Sequence, residues 1–383
     1  MRARSLLPVA FVALAFGFAA QHSDAQSVSN QPTAASQAAA GSAGQAHPVI
    51  LLVTVRDKHG SPVNSLNASD LALTQDGRPQ RIASLARQSD LPLKLGLLVD
   101  TSRALSGAMD AERKAAAKFV DTMLPEKPAA NPDKAFLIHF DREVELLEDF
   151  TPSRDALHKE LDDMGPTSAS RDDKNGPETN DDERERPSGR QGTQLYDAIY
   201  LASSEVIKPD DSGRNVLVVF SDGVDRGSKD TLNDAIDAAD KSNIEIYTVY
   251  FRGEQERNTG YPGGHHGGVS FPGGGGGYPG GGYPGGGGRR DERPSADGRK
   301  TMEQIATRTG GLYYEAKSTP HLDEIYSQIA EQLHGQYVLT YTPDQPDNEG
   351  GYHKVALTAN NKDLSVATRQ GYYAPGGDSG SSK

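Results

Sequence analysis

Residues 93–104 read Leu-Lys-Leu-Gly-Leu-Leu-Val-Asp-Thr-Ser-Arg-Ala. The first part of this stretch is an almost unbroken apolar run, the pattern of a strand buried on both faces of a parallel sheet. The run ends at Asp100, and Thr101 and Ser102 follow with two hydroxyl groups. In an open α/β sheet, the functional crevice lies beyond the carboxyl ends of the strands. We therefore expect an α/β fold with a polar site directly after this strand.

Other parts of the chain repeat the pattern. Three more short runs are rich in branched apolar side chains, namely Ala135–Phe140, Asn215–Asp222 and Ile244–Phe251. Apolar residues at helical spacing lie between or after them: Leu195, Ile199, Ala202 and Val206; Leu232, Ala235, Ile236 and Ala239; Leu322, Ile325, Ile329 and Leu333. Alternating strands and helices imply right-handed crossovers. The prediction is a doubly wound, mainly parallel, Rossmann-like sheet.

The regions on either side favour antiparallel strands. Before the central region, the strand candidates are Val49–Arg56, Leu71–Gln75 and Arg81–Arg87, with a turn at Asp76-Gly-Arg-Pro79. After it, Gln336–Tyr341, Lys354–Thr358 and Leu364–Ala367 alternate with turn residues. We predict β flanks at 47–90 and 336–375 that cap or extend the sheet of an α/β domain at 91–335. Whether the flanks contact each other stays open.

The first residues resemble an export signal. Arg2 and Arg4 precede the uncharged apolar run Leu6–Ala20, and Ser23-Asp-Ala25 places small residues before a cleavage point. We interpret residues 1–25 as a signal peptide that delivers the protein to a periplasm or the exterior, although cleavage after Ala20 is an alternative. A retained membrane anchor is the other interpretation, but a span usually needs about 20 apolar residues. No later stretch is long and apolar enough to span a membrane.

Several segments are too poor in large apolar side chains to form a core. They are predicted to be a disordered spacer at 26–46, a polar insertion at 165–191, a Gly/Pro/Tyr-rich insertion at 252–297 and a disordered tail at 376–383. Of the 42 glycines, 17 lie between Gly260 and Gly288. Aromatic-Pro-Gly-Gly units begin at Tyr261, Phe271, Tyr278 and Tyr283. We interpret this insertion as a solvated loop; the alternative is that its aromatic side chains bind a partner or a polysaccharide.

Composition excludes several function classes. The chain has 383 residues and a formal net charge of −13, without the clustered positive field that nucleic-acid binding requires. It contains no cysteine, which excludes disulfides, zinc–thiolate sites, iron–sulfur clusters and thiol nucleophiles. No Gly-x-Ser-x-Gly elbow or phosphate-binding loop is present.

The polar groups at the predicted sheet edge suit a metal ion. Asp100 and Asp222 each end a strand candidate, Ser102 follows the first, and Thr193 stands just before a helix. Carboxylates and hydroxyls form an all-oxygen site of the kind that hard divalent cations prefer, so Mg²⁺ or Mn²⁺ is the predicted cofactor. In the alternative interpretation these side chains cap nearby backbone groups. An acid/base pair of the two aspartates is a third possibility.

These motifs resemble the metal-ion-dependent adhesion site (MIDAS) of von Willebrand factor type A domains. The segments that carry the resemblance are Asp100-Thr-Ser102, Gly192-Thr193 and Ser221-Asp222-Gly223. The chain is more closely similar to the related domain proteins described from acidobacteria, in Asp76-Gly-Arg-Pro-Gln-Arg-Ile82, His353-Lys354 and Arg369-Gln-Gly-Tyr-Tyr-Ala-Pro375. The resemblance runs from about residue 49 to 375. It implies a binding module in which a carboxylate of the partner completes the coordination of the cation.

One position departs from the family motif, Asp-x-Ser-x-Ser. Ala104 stands where the second serine is expected, and Arg103 beside it adds a positive charge. A water molecule is one replacement for the missing hydroxyl, and Ser106 in a shifted loop is another.

Three histidines are further candidate functional residues. His139 lies inside a predicted strand and is interpreted as a packed or locally hydrogen-bonded side chain. His265 and His266 are adjacent in the glycine-rich insertion and lack a third ligand. The sequence therefore predicts an exported, non-enzymatic module that binds a protein or an envelope ligand through a degenerate MIDAS-like crevice. The alternatives are a metal-independent structural protein of the envelope and a metal-assisted hydrolase built on the two aspartates.

Overall fold

A computed structural model describes residues 47–87, 91–126, 132–165, 192–208, 213–252, 297–344 and 351–374. The predicted signal peptide, spacer and tail lie outside the described residues. So does almost all of both predicted insertions, including the aromatic-Pro-Gly-Gly units and His265-His266. Within the described helices, none is long and apolar enough to cross a membrane.

The described residues form 14 strands and six α-helices. The strands are β1 (Val49–Arg56), β2 (Leu71–Gln75), β3 (Arg78–Gln80), β4 (Ile82–Arg87), β5 (Leu93–Asp100), β6 (Lys134–Phe140), β7 (Val144–Thr151), β8 (Arg214–Ser221), β9 (Ile244–Phe251), β10 (Tyr313–Ala316), β11 (Tyr337–Tyr341), β12 (Tyr352–Ala359), β13 (Ser365–Ala367) and β14 (Gly371–Tyr373). The helices are α1 (Met109–Met123), α2 (Arg154–Asp163), α3 (Leu195–Leu201), α4 (Leu232–Lys241), α5 (Gly298–Thr309) and α6 (His321–Gly335).

The central sheet confirms the predicted fold class. Its strand order is β10-β9-β8-β5-β6-β7, and every pair except β6–β7 is parallel. The chain winds outward from β5 in both directions, which makes the sheet doubly wound. The four predicted central strands match β5, β6, β8 and β9 to within one residue at each end.

Helices cover both faces of this sheet, which is why its strands read as continuous apolar runs. α1, α2 and α6 pack in one core layer with Leu97 and Val99, while α3, α4 and α5 pack in the other with Leu98. Position 96 of β5 requires a glycine, because a Cβ atom there would stand 2.3 Å from the Phe136 ring. The helix predicted from Leu195 to Val206 consists of α3 and a following π-turn at Ala202–Val206.

The two flanks are antiparallel as predicted and add no strand to the central sheet; they form one β-sandwich that packs against the α/β unit. One sheet has the order β13-β1-β11-β4 and the other β14-β12-β2-β3, so both ends of the chain contribute to each. Their shared core contains Leu51, Leu73, Leu339 and Leu357. The ends pair with each other because each has apolar side chains on one strand face only, and neither buries them alone.

The terminal motifs lie side by side in this sandwich. Asp76 and Gly77 have positive φ values of 50° and 78° in the β2–β3 turn. The Asp76 carboxylate accepts a hydrogen bond from the Lys354 backbone N–H at 2.9 Å and lies 2.7 Å from His353 Nδ1. These contacts hold β12 in register with β2.

A candidate cation site at the carboxyl edge of the central sheet

Asp100 lies at the centre of the polar groups that follow the parallel strands. Its carboxylate is fully buried and accepts hydrogen bonds from the Ser102 backbone N–H at 2.9 Å and from Ser221 Oγ at 2.7 Å. Burial raises the pKa of Asp100 to about 6, against the effect of these hydrogen bonds, and the negative charge of Asp222 raises it further. Asp100 at the end of β5 and Asp222 just after β8 are therefore close enough to repel each other.

Ser102 presents a buried hydroxyl beside the Asp100 carboxylate. Its side chain is 6% exposed, and its hydroxyl lies close enough to the Asp100 carboxylate to lower the pKa of Asp100, although Ser102 Oγ makes no hydrogen bond of standard geometry. A buried hydroxyl without a well-formed hydrogen bond is costly, since it loses its hydrogen bonds to water. A cation bound beside Asp100 would have this oxygen as a ligand, so the residues present fit the metal predicted from the sequence.

Asp222 begins the loop that follows β8. Burial raises its pKa, while the backbone N–H of Val224, at 2.9 Å from Oδ1, and the positive charge of Arg226 lower it. Gly223 has φ +69°, and a Cβ atom there would stand 2.1 Å from the Gly298 carbonyl oxygen. The loop thus packs directly on the first turn of α5, which fixes the position of Asp222.

Thr193 is buried in the segment that precedes α3. Its carbonyl oxygen accepts a hydrogen bond from the Arg226 backbone N–H at 3.0 Å, so this segment is tied to the Asp222 loop. The contact requires a glycine at 192, because a Cβ atom there would stand 2.6 Å from the Arg226 carbonyl oxygen. The Gln194 N–H also donates to the Asp141 carbonyl oxygen at 2.9 Å, which connects the same segment to the end of β6.

The departure at Ala104 leaves the loop after β5 short of an oxygen donor. Ala104 and Arg103 are both exposed. Ser106 does not replace the missing hydroxyl, because Ser106 Oγ donates to the Arg103 carbonyl oxygen at 3.0 Å.

The donor set is poor in carboxylates. Among the described residues, no group of three or more aspartate, glutamate or histidine side chains is arranged to hold a metal ion. The candidate site therefore depends on hydroxyls as much as on carboxylates, and it matches Mg²⁺ or Mn²⁺ better than the metals that prefer nitrogen or sulfur ligands.

Two further residues were absent from the predicted set. Ser221 donates to Asp100, and Arg226 supplies positive charge beside Asp222. Because Ser221 ends a buried strand, the sequence predicts that it lies at the sheet edge. No local sequence pattern predicts that its hydroxyl points to a residue of another strand. His139 is structural as expected: its Nε2 lies 2.7 Å from Glu145 Oε2 and its Nδ1 lies 3.0 Å from the Gly165 carbonyl oxygen.

Comparison with known proteins gives matches to solved structures only. No family model and no curated protein matches the chain. The von Willebrand factor domain of the type V pilus tip protein Mfa5 from Porphyromonas gingivalis is 11% identical, with 64% of this chain and 96% of that chain covered and a TM-score of 0.42. A von Willebrand factor type A protein from Catenulispora acidiphila is 10% identical, with coverages of 87% and 75% and a TM-score of 0.41.

A third similar structure is proximal thread matrix protein 1 from the mussel byssus, solved with a zinc-occupied MIDAS motif. It is 11% identical, 65% of this chain and 50% of that chain are covered, and the TM-score is 0.40. This chain thus spans about half the length of the mussel protein. Solved von Willebrand factor type A domains are therefore among the structures similar to this chain, and the closer resemblance to acidobacterial proteins stays a prediction.

Proposed function

We propose that this protein is an exported, non-enzymatic binding module that holds Mg²⁺ or Mn²⁺ at the carboxyl edge of its central sheet. Asp100, Ser102, Thr193 and Asp222 hold the cation, directly or through water. A bound cation supplies an open coordination position for a carboxylate of a protein or envelope partner. Export rests on the signal-like sequence at residues 1–25 and leads to the periplasm or the exterior.

The observation that carries the proposal is the buried hydroxyl of Ser102, which lies beside the buried carboxylate of Asp100 and makes no hydrogen bond of standard geometry. An apolar side chain or a hydrogen-bonded one would cost less at that position if the edge served only packing. Asp222 is held at the same edge by the packing of Gly223 on α5. The chain's own residues thus preorganise two carboxylates and a hydroxyl before any cation arrives.

The test is calorimetric titration of the full chain with MgCl₂ and with MnCl₂. We expect saturable binding that Asp100→Ala and Asp222→Ala each abolish. Asp141→Asn is a matched control, since Asp141 follows β6 at the same edge but is not among the proposed ligands. Equal heats for the wild type and both alanine variants would refute the proposal.

A metal-independent interaction module is the second candidate, and two observations favour it. Both Asp100 oxygens already accept hydrogen bonds from the protein, and Arg226 already places positive charge beside Asp222. In that case the site holds no cation, and partner capture is insensitive to a chelator. A pull-down from envelope extract with and without EDTA separates the two candidates, because only the metal-dependent module loses its partner in EDTA.

A further inference from the structure

A cleft of about 780 Å³ lies between the α/β unit and the β-sandwich, away from the candidate cation site. α5, the following turn and β10 form one wall, while β12 and β13 form the other. The two units touch at Gly310, which has a φ of +90°. A Cβ atom added at this position would stand 2.2 Å from the Arg369 backbone nitrogen, so only glycine fits. Binding sites often lie at such junctions, because two units enclose more surface than one.

An edge strand of the sandwich lines the cleft. All three residues of β13, Ser365–Ala367, line it, and among the described strands β13 pairs only with β1. Its second edge therefore carries backbone N–H and C=O groups without a ladder partner. On the opposite wall Tyr313 begins β10, which is likewise an edge strand and pairs only with β9 among the described strands.

Charge in the cleft is predominantly positive. Arg56 and Lys354 line it from the sandwich, and Glu303 is the acidic side chain that lines it from α5. Neither cation forms an ion pair within the part of the chain that the structure describes. On a chain of net charge −13, two cations without an ion pair at one cleft favour an acidic ligand.

Apolar side chains also line the cleft. Leu312 and Val355 line the cleft and are buried, and Val366 of β13 lies beside them. An extended peptide has side chains pointing to opposite faces at successive positions. Such a ligand can place acidic side chains toward Arg56 and Lys354 and apolar side chains toward the wall.

We propose that this cleft binds an extended acidic peptide segment of a partner protein, which adds as a strand along β13. Backbone hydrogen bonds to the free edge give affinity, and Arg56 and Lys354 select acidic side chains. The free strand edge favours a peptide over an acidic polysaccharide, which has no amide ladder to offer. The site is separate from the candidate cation site and requires no metal.

The test uses a fluorescently labelled peptide of alternating glutamate and valine, titrated with the full chain in EDTA and followed by anisotropy. We expect saturable binding that is weakened about tenfold or more by the double variant Arg56→Gln/Lys354→Gln. The control Lys114→Gln/Lys229→Gln removes the same charge at exposed positions outside the cleft and should bind like the wild type.

An N-methylated peptide and polygalacturonate serve as comparison ligands. The same peptide with N-methylated valines should fail to bind, because it cannot form the backbone ladder. Equal binding of the N-methylated peptide, equal loss in the control variant, or preferential binding of polygalacturonate would each overturn the proposal. Since the titration is done in EDTA, its outcome is independent of whether the candidate cation site binds metal.

Discussion

Ala104 is the residue at which the candidate cation site lacks an oxygen donor. Its methyl group is exposed in the loop after β5, and the next hydroxyl further along the chain, Ser106, donates a hydrogen bond to the Arg103 carbonyl oxygen. The structure adds that no rearranged serine compensates for it within that loop.

We predict that Ala104→Ser raises the affinity for Mn²⁺ about tenfold, because one added oxygen ligand worth about 1.4 kcal/mol changes the binding constant by that factor. Calorimetric titration measures the change. Ser106→Ala is the control and should leave the affinity unaltered, as its hydroxyl is engaged elsewhere. Unchanged Mn²⁺ affinity in Ala104→Ser would show that position 104 does not face the cation.

Gly223 is the second decisive residue at this edge. Its φ of +69° and its contact with the Gly298 carbonyl leave no room for a side chain. We predict that Gly223→Ala lowers the free energy of unfolding by about 1–3 kcal/mol through backbone strain and also weakens cation binding. Urea denaturation followed by circular dichroism measures the stability.

Gly107→Ala is the matched control for this substitution. A Cβ atom at Gly107 would meet nothing within 4 Å, and its backbone is not left-handed. We expect a change within about 0.5 kcal/mol, as for most surface substitutions. A similar loss in both variants would contradict the role assigned to the Gly223 turn.

At the scale of elements, α1 and α6 are joined by a buried polar contact. The Tyr326 hydroxyl of α6 donates to Glu112 Oε1 of α1, while Glu112 Oε2 has no hydrogen-bond partner. Burial raises the pKa of Glu112 to about 8 from its usual 4.5, against the weaker effect of the Tyr326 hydrogen bond. This carboxyl group therefore stays protonated in the folded state at pH values where it ionises in the unfolded chain.

The sign of the pH dependence follows from that difference. Between about pH 4.5 and 8 the folded state binds the extra proton, so Glu112 makes the free energy of unfolding fall by up to about 1.4 kcal/mol per pH unit. We predict that Glu112→Gln removes this slope and is more stable than the wild type at pH 8, since the amide keeps an acceptor for Tyr326. Urea denaturation at pH 5 and pH 8 measures the free energy of unfolding and tests this prediction.

Glu331→Gln, at an exposed position of α6, serves as the control for the loss of a carboxylate. It should leave the difference between pH 5 and pH 8 as in the wild type. If Glu112→Gln also retained the wild-type slope, the raised pKa of Glu112 would be refuted.

At the scale of the whole molecule, Arg369 joins the sandwich to the α/β unit. Its buried guanidinium donates to Asn243 Oδ1, which follows α4, and to the Ile50 carbonyl oxygen of β1 at 2.9 Å. It also lies 5.5 Å from the centre of the Tyr372 ring. Asp240 and Glu245 are near enough for Arg369 to lower their pKa values, although burial, the larger effect, raises them to about 7 and about 8.

We predict that Arg369→Met destabilises the protein by about 3–5 kcal/mol, because it leaves buried polar partners unpaired. The loss should be greater at pH 9 than at pH 6, since Asp240 and Glu245 then ionise without their nearby cation. Urea denaturation measures both values, and the exposed Arg87→Met is the control. A loss below about 1 kcal/mol at pH 9 would contradict the role of Arg369 at the junction.

Much of this architecture was predictable because its signals are local. The central strands were found to within a residue because a strand buried on both faces needs apolar side chains at nearly every position. Strand β7 and helix α1 were not predicted. In β7 acidic residues interrupt the apolar pattern, and in α1 small alanines replace the large side chains that mark a helix face.

The sequence by itself determined the doubly wound sheet and the aspartates and hydroxyls at its carboxyl edge, because strand period and strand ends depend on neighbouring residues. Only the tertiary structure decided that the two ends of the chain share one sandwich, with Leu51 opposite Leu339 in neighbouring strands. It also decided that Ser221 donates to Asp100 and that Arg369 is buried. These contacts join residues far apart in the chain, so they depend on how the units pack, which no local pattern encodes.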